Sequence, residues 1–302
     1  MTMERYLQPT AFFDYDHPRL QAWIESELEG VPDEPVEQIK ALYLAVRDSI
    51  SYNPYVFRTD ANTFSASYAL ESGETYCIPK AVLLGAAARS IGVPSRLGLA
   101  DVRNHLSSPK LIEWLRSDIF RMHGYIELFL NGQWVKATPA FNRQLCELMK
   151  VEPLEFDGVH DSMFQEYTED GHAHMEYVND HGLFDDVPHE FIVSGVRAAY
   201  SHLFAEEEEP EAPKGSLVQD ISSPRACSNP GRPYSLLATV SALCPASAPL
   251  IASSTASESG TVFPVSVSPM RLKRLKSMAL QFFESIMRCT RSTFSRVAGS
   301  SL

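Results

Sequence analysis

Apolar residues recur at helical spacing in the first fifty positions. His17 to Leu28 reads as an amphipathic helix ending near Gly30. Pro35 to Ile50 reads as a second, with apolar residues at 36, 39, 42, 43, 46 and 50. Residues 53–72 read as a loop with a short helical turn, aromatic enough to line a cleft. Between Gly73 and Gly92 the chain is apolar on almost every helical face, which predicts a buried helix. Pro79 suits its first turn, and Gly92 supplies a stop. The spacing then changes to two, with strands expected near 95–101, 123–130 and 133–138. Leu111 to Phe120 reads as a helix in the connection, and Phe191 to Phe204 as a closing helix. Asn131-Gly132 between two strand-like runs predicts a two-residue hairpin, with Leu130 facing Gln133, Phe129 facing Trp134, Glu127 facing Lys136 and Tyr125 facing Thr138. Helices first and a small antiparallel sheet afterwards give an α+β fold, the buried helix packed on the sheet.

The pattern fails after residue 204. A run of glutamates at 206–209 precedes a stretch rich in Ser, Pro and Ala that extends to about residue 268. That stretch has too little patterned apolar surface to fold alone. The chain therefore divides into a body, 1–204, and a low-complexity, mostly disordered tail, 205–302. Residues 270–297 could form a basic amphipathic helix for an anionic membrane surface or a partner, against the plainer reading of a weakly helical tail without a dedicated role. The body carries 30 acidic and 16 basic residues, a balance that argues against nucleic-acid binding. The five cysteines show neither paired nor regular spacing, so neither a zinc ribbon nor a disulfide framework is expected. No secretory signal or membrane span is read from the sequence, and a reducing cytoplasm is the default compartment.

Chemistry enters at Cys77, where a loop runs into the buried helix. The positive end of a helix dipole favours a thiolate and predicts a lowered thiol pKa. On the hairpin, His123 shares a strand face with Tyr125, Glu127 and Phe129, and Thr138 stands diagonal to it. A thiol nucleophile needs such a histidine to take and return its proton.

A cysteine at a helix start followed by a histidine on a strand resembles the transglutaminase-like superfamily of papain-like enzymes. Four blocks carry the resemblance between roughly residues 36 and 140: the helix from Ala41 to Tyr52, the Cys77 helix followed by Gly92-Val93-Pro94-Ser95-Arg96, the strand from His123 to Glu127, and the return strand bearing Trp134. The resemblance implies a catalytic body with Cys77 as nucleophile and His123 as base, acting on amide bonds of a peptide or protein through a thioester, with no cofactor and no metal. It implies acyl transfer to water, as in a peptidase or amidase, or to an amine, as in a transglutaminase. Hydrolysis is the preferred reading because no calcium-loop pattern is present. One position departs: the family's usual Asp before the return-strand proline is Thr138 here. Thr138 can accept a hydrogen bond but carries no charge. Asn142, Asp101 and Asn104 are alternative orienting groups. The departure also leaves open an inactive domain that binds peptides.

A second polar cluster runs from His160 to His189, including His172-Ala173-His174. Two histidines two apart on a strand could hold zinc, but the plainer reading is a polar loop region beside a cleft.

Overall fold

A computed structural model of the chain describes residues 3–164, 174–204, 209–210 and 212–222. The chain divides into a unit ending at Leu236 and a second one from Leu237. The second lies outside the described residues, as do the expected helix at 270–297 and Cys227, Cys244 and Cys289.

The first half contains α1 (Pro18–Glu27), α2 (Pro35–Ser49), β1 (Ser51–Tyr52), α3 (Ala66–Ser72), β2 (Glu74–Thr75) and α4 (Cys77–Ser90). The second contains β3 (Ser95–Asn104), α5 (Pro109–Leu115), β4 (Ile119–Leu130), β5 (Gln133–Ala137), α6 (Arg143–Met149), β6 (Met175–Phe184), α7 (His189–Ala199) and α8 (Leu217–Ser222). Proline opens α1, α2 and α5, where its missing N–H costs no helical hydrogen bond. Mixed helices and one small antiparallel sheet make the fold α+β, as the hydrophobic pattern predicts.

Helix α4 is the axis of the core. Every residue from Cys77 to Arg89 is buried. Gly85 lets neighbours approach: a Cβ there would lie 2.6 Å from the Phe13 ring and 2.7 Å from the Ile126 side chain. The charged residues of α4 serve the frame. Lys80 is fully buried and donates to the carbonyls of Arg47, at 2.8 Å, and of Ile50. It thereby ties the C-terminal end of α2 to α4, at a burial cost that pushes its ammonium down to about 7. Arg89 donates to Ser95 Oγ and to the carbonyls of Ser95, Gln8 and Asp185, with its guanidinium 3.8 Å from the Phe13 ring centroid.

The four-stranded sheet has the order β5-β4-β3-β6, all neighbours antiparallel. The hairpin register is the expected one, with Glu127 opposite Lys136, Phe129 opposite Trp134 and Leu130 opposite Gln133. Asn131 and Gly132 both adopt positive φ, 51° and 83°, as a tight hairpin turn of the right twist requires. Arg96 pairs across β3 and β4 with Glu127 at 2.6 Å and lies 4.0 Å from the Trp134 ring centroid. Three residues of the sequence blocks therefore form one cross-strand cluster that holds the sheet.

Three differences from the expected pattern have physical reasons. Strand β6 occupies part of the stretch read as polar loop. It is an edge strand, exposed along much of its length, so Asn179, Asp180 and Gly182 sit where turn residues carry little cost. Helix α5 stops at Leu115 because Arg116 turns left-handed, with φ of 52°, and Ile119 already begins β4. Beyond residue 204, described residues still pack on the body. Leu217 is buried, Asp220 accepts from Tyr55 Oη at 2.7 Å and Lys110 Nζ at 2.8 Å, and Glu209 accepts from Thr59 Oγ1 at 2.6 Å. These apolar and charged residues find partners only on the folded surface, which a composition change cannot reveal.

Candidate active site

Cys77 is the first residue of α4, after Tyr76 in extended backbone. The strand pair β1–β2 delivers the chain to this point, with Tyr52 opposite Thr75. Strand β4 crosses the start of the helix at Gly124, where a Cβ would lie 2.8 Å from Ile78 Cα. This close approach lets the Gly124 N–H donate to the Cys77 sulfur, beside the N–H groups of Ile78 and Cys77 itself. Those donors favour the thiolate, but burial outweighs them and pushes the thiol up to about 11. The lowered pKa expected from the helix dipole is thus overturned. Cys77 is 9% exposed, and a dry site penalises the charged form more than a helix end repays.

His123 lies on β4 beside Gly124 and is 4% exposed. Burial alone pushes its imidazole down to about 4. Its Nε2 is buried and has no hydrogen-bond partner among the described residues. The ring is held by aromatic packing, its centroid 5.2 Å from that of Phe164 and 6.3 Å from that of Tyr177. Phe164 in turn lies 4.7 Å from Phe141. At rest the pair is a neutral thiol and a neutral imidazole.

The candidate orienting groups each hydrogen-bond other residues. Thr138 is buried, and its hydroxyl donates to Met163 Sδ at 3.5 Å and bonds the Tyr177 hydroxyl. Asn142 precedes α6 and accepts from the Tyr52 N–H at 3.1 Å. Asn104 accepts from the Leu106 N–H at 2.9 Å. Asp101 has a different task. Ala100 pairs with His123 and Val102 with Phe120, so Asp101 stands opposite two residues, Arg121 and Met122. This is a bulge, and Met122 takes φ of 57°, a strained value for a side chain of its size. Asp101 is fully buried. Its carboxylate accepts from Met122 N–H at 3.2 Å and Arg121 at 2.7 Å, and contacts His181 Nε2 at 2.8 Å. Burial pushes this carboxyl up, but the His181, Arg121 and Met122 partners together hold it below the usual range. Asp101 therefore shapes the backbone immediately before His123. Sequence spacing gives no sign of this, because Asp101 and His181 meet only through β3–β6 pairing.

Cys77 and His123 line one cavity of about 100 Å³. Its walls include Tyr52, Trp114, Phe120, Tyr200 and Leu217. Tyr76 also lines it, with a buried hydroxyl lacking a partner among the described residues. His174 is buried near Phe164, whereas His172 lies outside the described residues. Among the described residues no group of three or more His, Cys, Asp or Glu is placed to hold a metal. No described helix is long and apolar enough to cross a membrane.

No curated protein matches the sequence. One similar solved structure is described as "a Putative Cysteine Protease from Cytophaga hutchinsonii", with 17% identity over 45% of this chain and a TM-score of 0.35. The match covers 41% of that protein, so this chain spans about two fifths of its length. Residues 24–139 match the family model of the transglutaminase-like superfamily, a span that includes α2, the Cys77 helix, the His123 strand and the Trp134 return strand. The stretch from residue 24 to residue 139 belongs to the transglutaminase-like superfamily.

Proposed function

We propose that this chain is a cysteine acyl-transfer enzyme that hydrolyses amide or ester bonds, with Cys77 as nucleophile and His123 as base. The observation that carries the reading is the shared cavity: a helix-start thiol and an imidazole whose Nε2 has no partner among the described residues line the same pocket. Because both groups rest neutral, the reaction begins with proton transfer rather than from a preformed ion pair. His123 Nε2 takes the thiol proton as the sulfur attacks the carbonyl carbon. The Cys77 N–H, at the positive end of α4, donates to the oxyanion. The tetrahedral intermediate collapses, His123 returns the proton to the departing amine or alcohol, and a thioester remains. Water, deprotonated by His123, then releases the acid and restores the thiol.

Water is the preferred acceptor. A lysine ammonium would need a carboxylate in the cavity, and no Asp or Glu is among its described lining residues. The engaged Thr138 hydroxyl favours a second reading, an inactive domain that binds peptides. Burst kinetics with 4-nitrophenyl acetate separates the two. An acyl-transfer enzyme releases one equivalent of 4-nitrophenolate per chain, Cys77→Ala abolishes the burst, and His123→Ala slows it by about 10²–10⁴. A proton in flight also slows acylation roughly twofold in heavy water. A wild-type trace identical to that of Cys77→Ala refutes the enzymatic reading.

A further inference from the structure

The cavity beside Cys77 is unusual in its electrostatics. Among its described lining residues only Arg121 carries a formal charge, and that guanidinium is engaged by Asp101 at 2.7 Å. The remaining wall is almost entirely aromatic and aliphatic, the polar exceptions being Cys77, His123, Asn104 and tyrosine hydroxyls. Much of the apolar wall comes from outside the matched segment: Phe164, Met175, Val196, Leu203, Phe204 and Leu217 all follow residue 139. The matched segment supplies the thiol, the imidazole and one part of the apolar wall, and the chain after residue 139 supplies the rest.

We propose that this cavity is an acyl-binding site for an uncharged, apolar acyl group, a medium-length alkyl or aryl chain whose carbonyl carbon meets the Cys77 sulfur. The assignment rests on the nucleophile reading above and adds the substrate class to it. A carboxylate or ammonium on the acyl chain would be buried without a partner and would be rejected. An apolar chain gains with each methylene taken out of water, about fourfold per CH₂. In the reaction, the sulfur bonds the acyl carbon, the proton passes to His123, and the alcohol or amine leaves with the bonding pair and regains a proton.

Two measurements on the full chain test this separately from the chemistry. In Cys77→Ala, calorimetry compares hexanamide with succinamic acid, a charged chain. The proposal expects hexanamide to bind at least tenfold tighter; equal binding, or none, overturns it. With intact Cys77, acylation by 4-nitrophenyl hexanoate is expected to exceed that by the acetate by about 10²-fold, for four added methylenes. The 4-nitrophenyl hemisuccinate should react no faster than the acetate. Leu217→Glu sets a carboxylate in the wall, and Val196→Trp narrows it. In each, the ratio of the hexanoate rate to the acetate rate should fall to about threefold or less. An advantage that persists in both variants overturns the proposal. Failure of Cys77 to acylate with any ester refutes the nucleophile reading instead, and calorimetry still decides the cavity.

Discussion

Two ionisations at the site make opposite demands on pH. His123 titrates near 4 when folded, against an ordinary value of 6.5. Between those values the unfolded chain binds a proton that the native one refuses. The contribution of His123 to stability is therefore complete above about pH 6.5 and is lost as the pH falls toward 4, to the extent of about 3 kcal/mol. Cys77 is the mirror case. Its folded value near 11 exceeds the ordinary 9.0, so stability declines as the pH rises through that interval. Urea denaturation across this range should show a plateau near neutrality, and His123→Phe should flatten the acid limb relative to wild type. Kinetics should follow the same pair. Acylation should rise with loss of the His123 proton near pH 4 and show no fall near pH 8 or 9, where an ion-pair enzyme would lose its imidazolium. Thr138 is the position at which charge could be restored. Thr138→Asp should raise the imidazole pKa and speed acylation at neutral pH by about tenfold or more, while lowering stability by about 1–3 kcal/mol for burying a carboxylate. A pH–rate profile beside a denaturation curve checks both.

At the scale of elements, the site depends on how closely β4 crosses the start of α4. Gly124 permits that approach, because a Cβ would lie 2.8 Å from both the Cα and the Cγ1 of Ile78, and the backbone atom cannot swing aside. Gly124→Ala should push strand from helix, withdraw the N–H donor from the sulfur, and reduce acylation by about 10²-fold with a smaller loss of stability. The bulge at Arg121 and Met122 is the second determinant. Removing its buried anchor in Asp101→Ala leaves Arg121, His181 and the Met122 N–H without their acceptor, which should cost about 3–5 kcal/mol. Asp101→Asn keeps one acceptor and should retain more of both stability and acylation. The elements that carry periodic apolar runs were legible from the residues: α2, α4 and the β4–β5 hairpin lie where spacing and Asn131-Gly132 place them. Strand β6 was not, because an edge strand with a wet face holds turn residues at little cost.

At the scale of the described molecule, part of the cavity wall comes from chain that follows the matched segment. Glu209, Leu217 and Asp220 each contact the body. Asp220 is the anchor, shared by Tyr55 and Lys110. Asp220→Ala should cost about 1–3 kcal/mol and expose residues 212–222 to limited proteolysis before the body is cut. The order of appearance of fragments by mass spectrometry checks this. Cleavage within the body first would show that the contact contributes little.

The residues alone were enough to determine the α+β order, the buried helix with a cysteine at its head, the hairpin register and the histidine on its strand. Each of these rests on local periodicity, turn chemistry or spacing, which a chain carries before it folds. Only the tertiary structure decided that burial overrides the helix dipole at Cys77, that Thr138 bonds Met163 and Asn142 the Tyr52 N–H, and that Asp101 shapes the bulge beside His123. Desolvation, strand pairing between distant residues and the apolar wall of the cavity are properties of the packed chain, created when remote segments exclude water together.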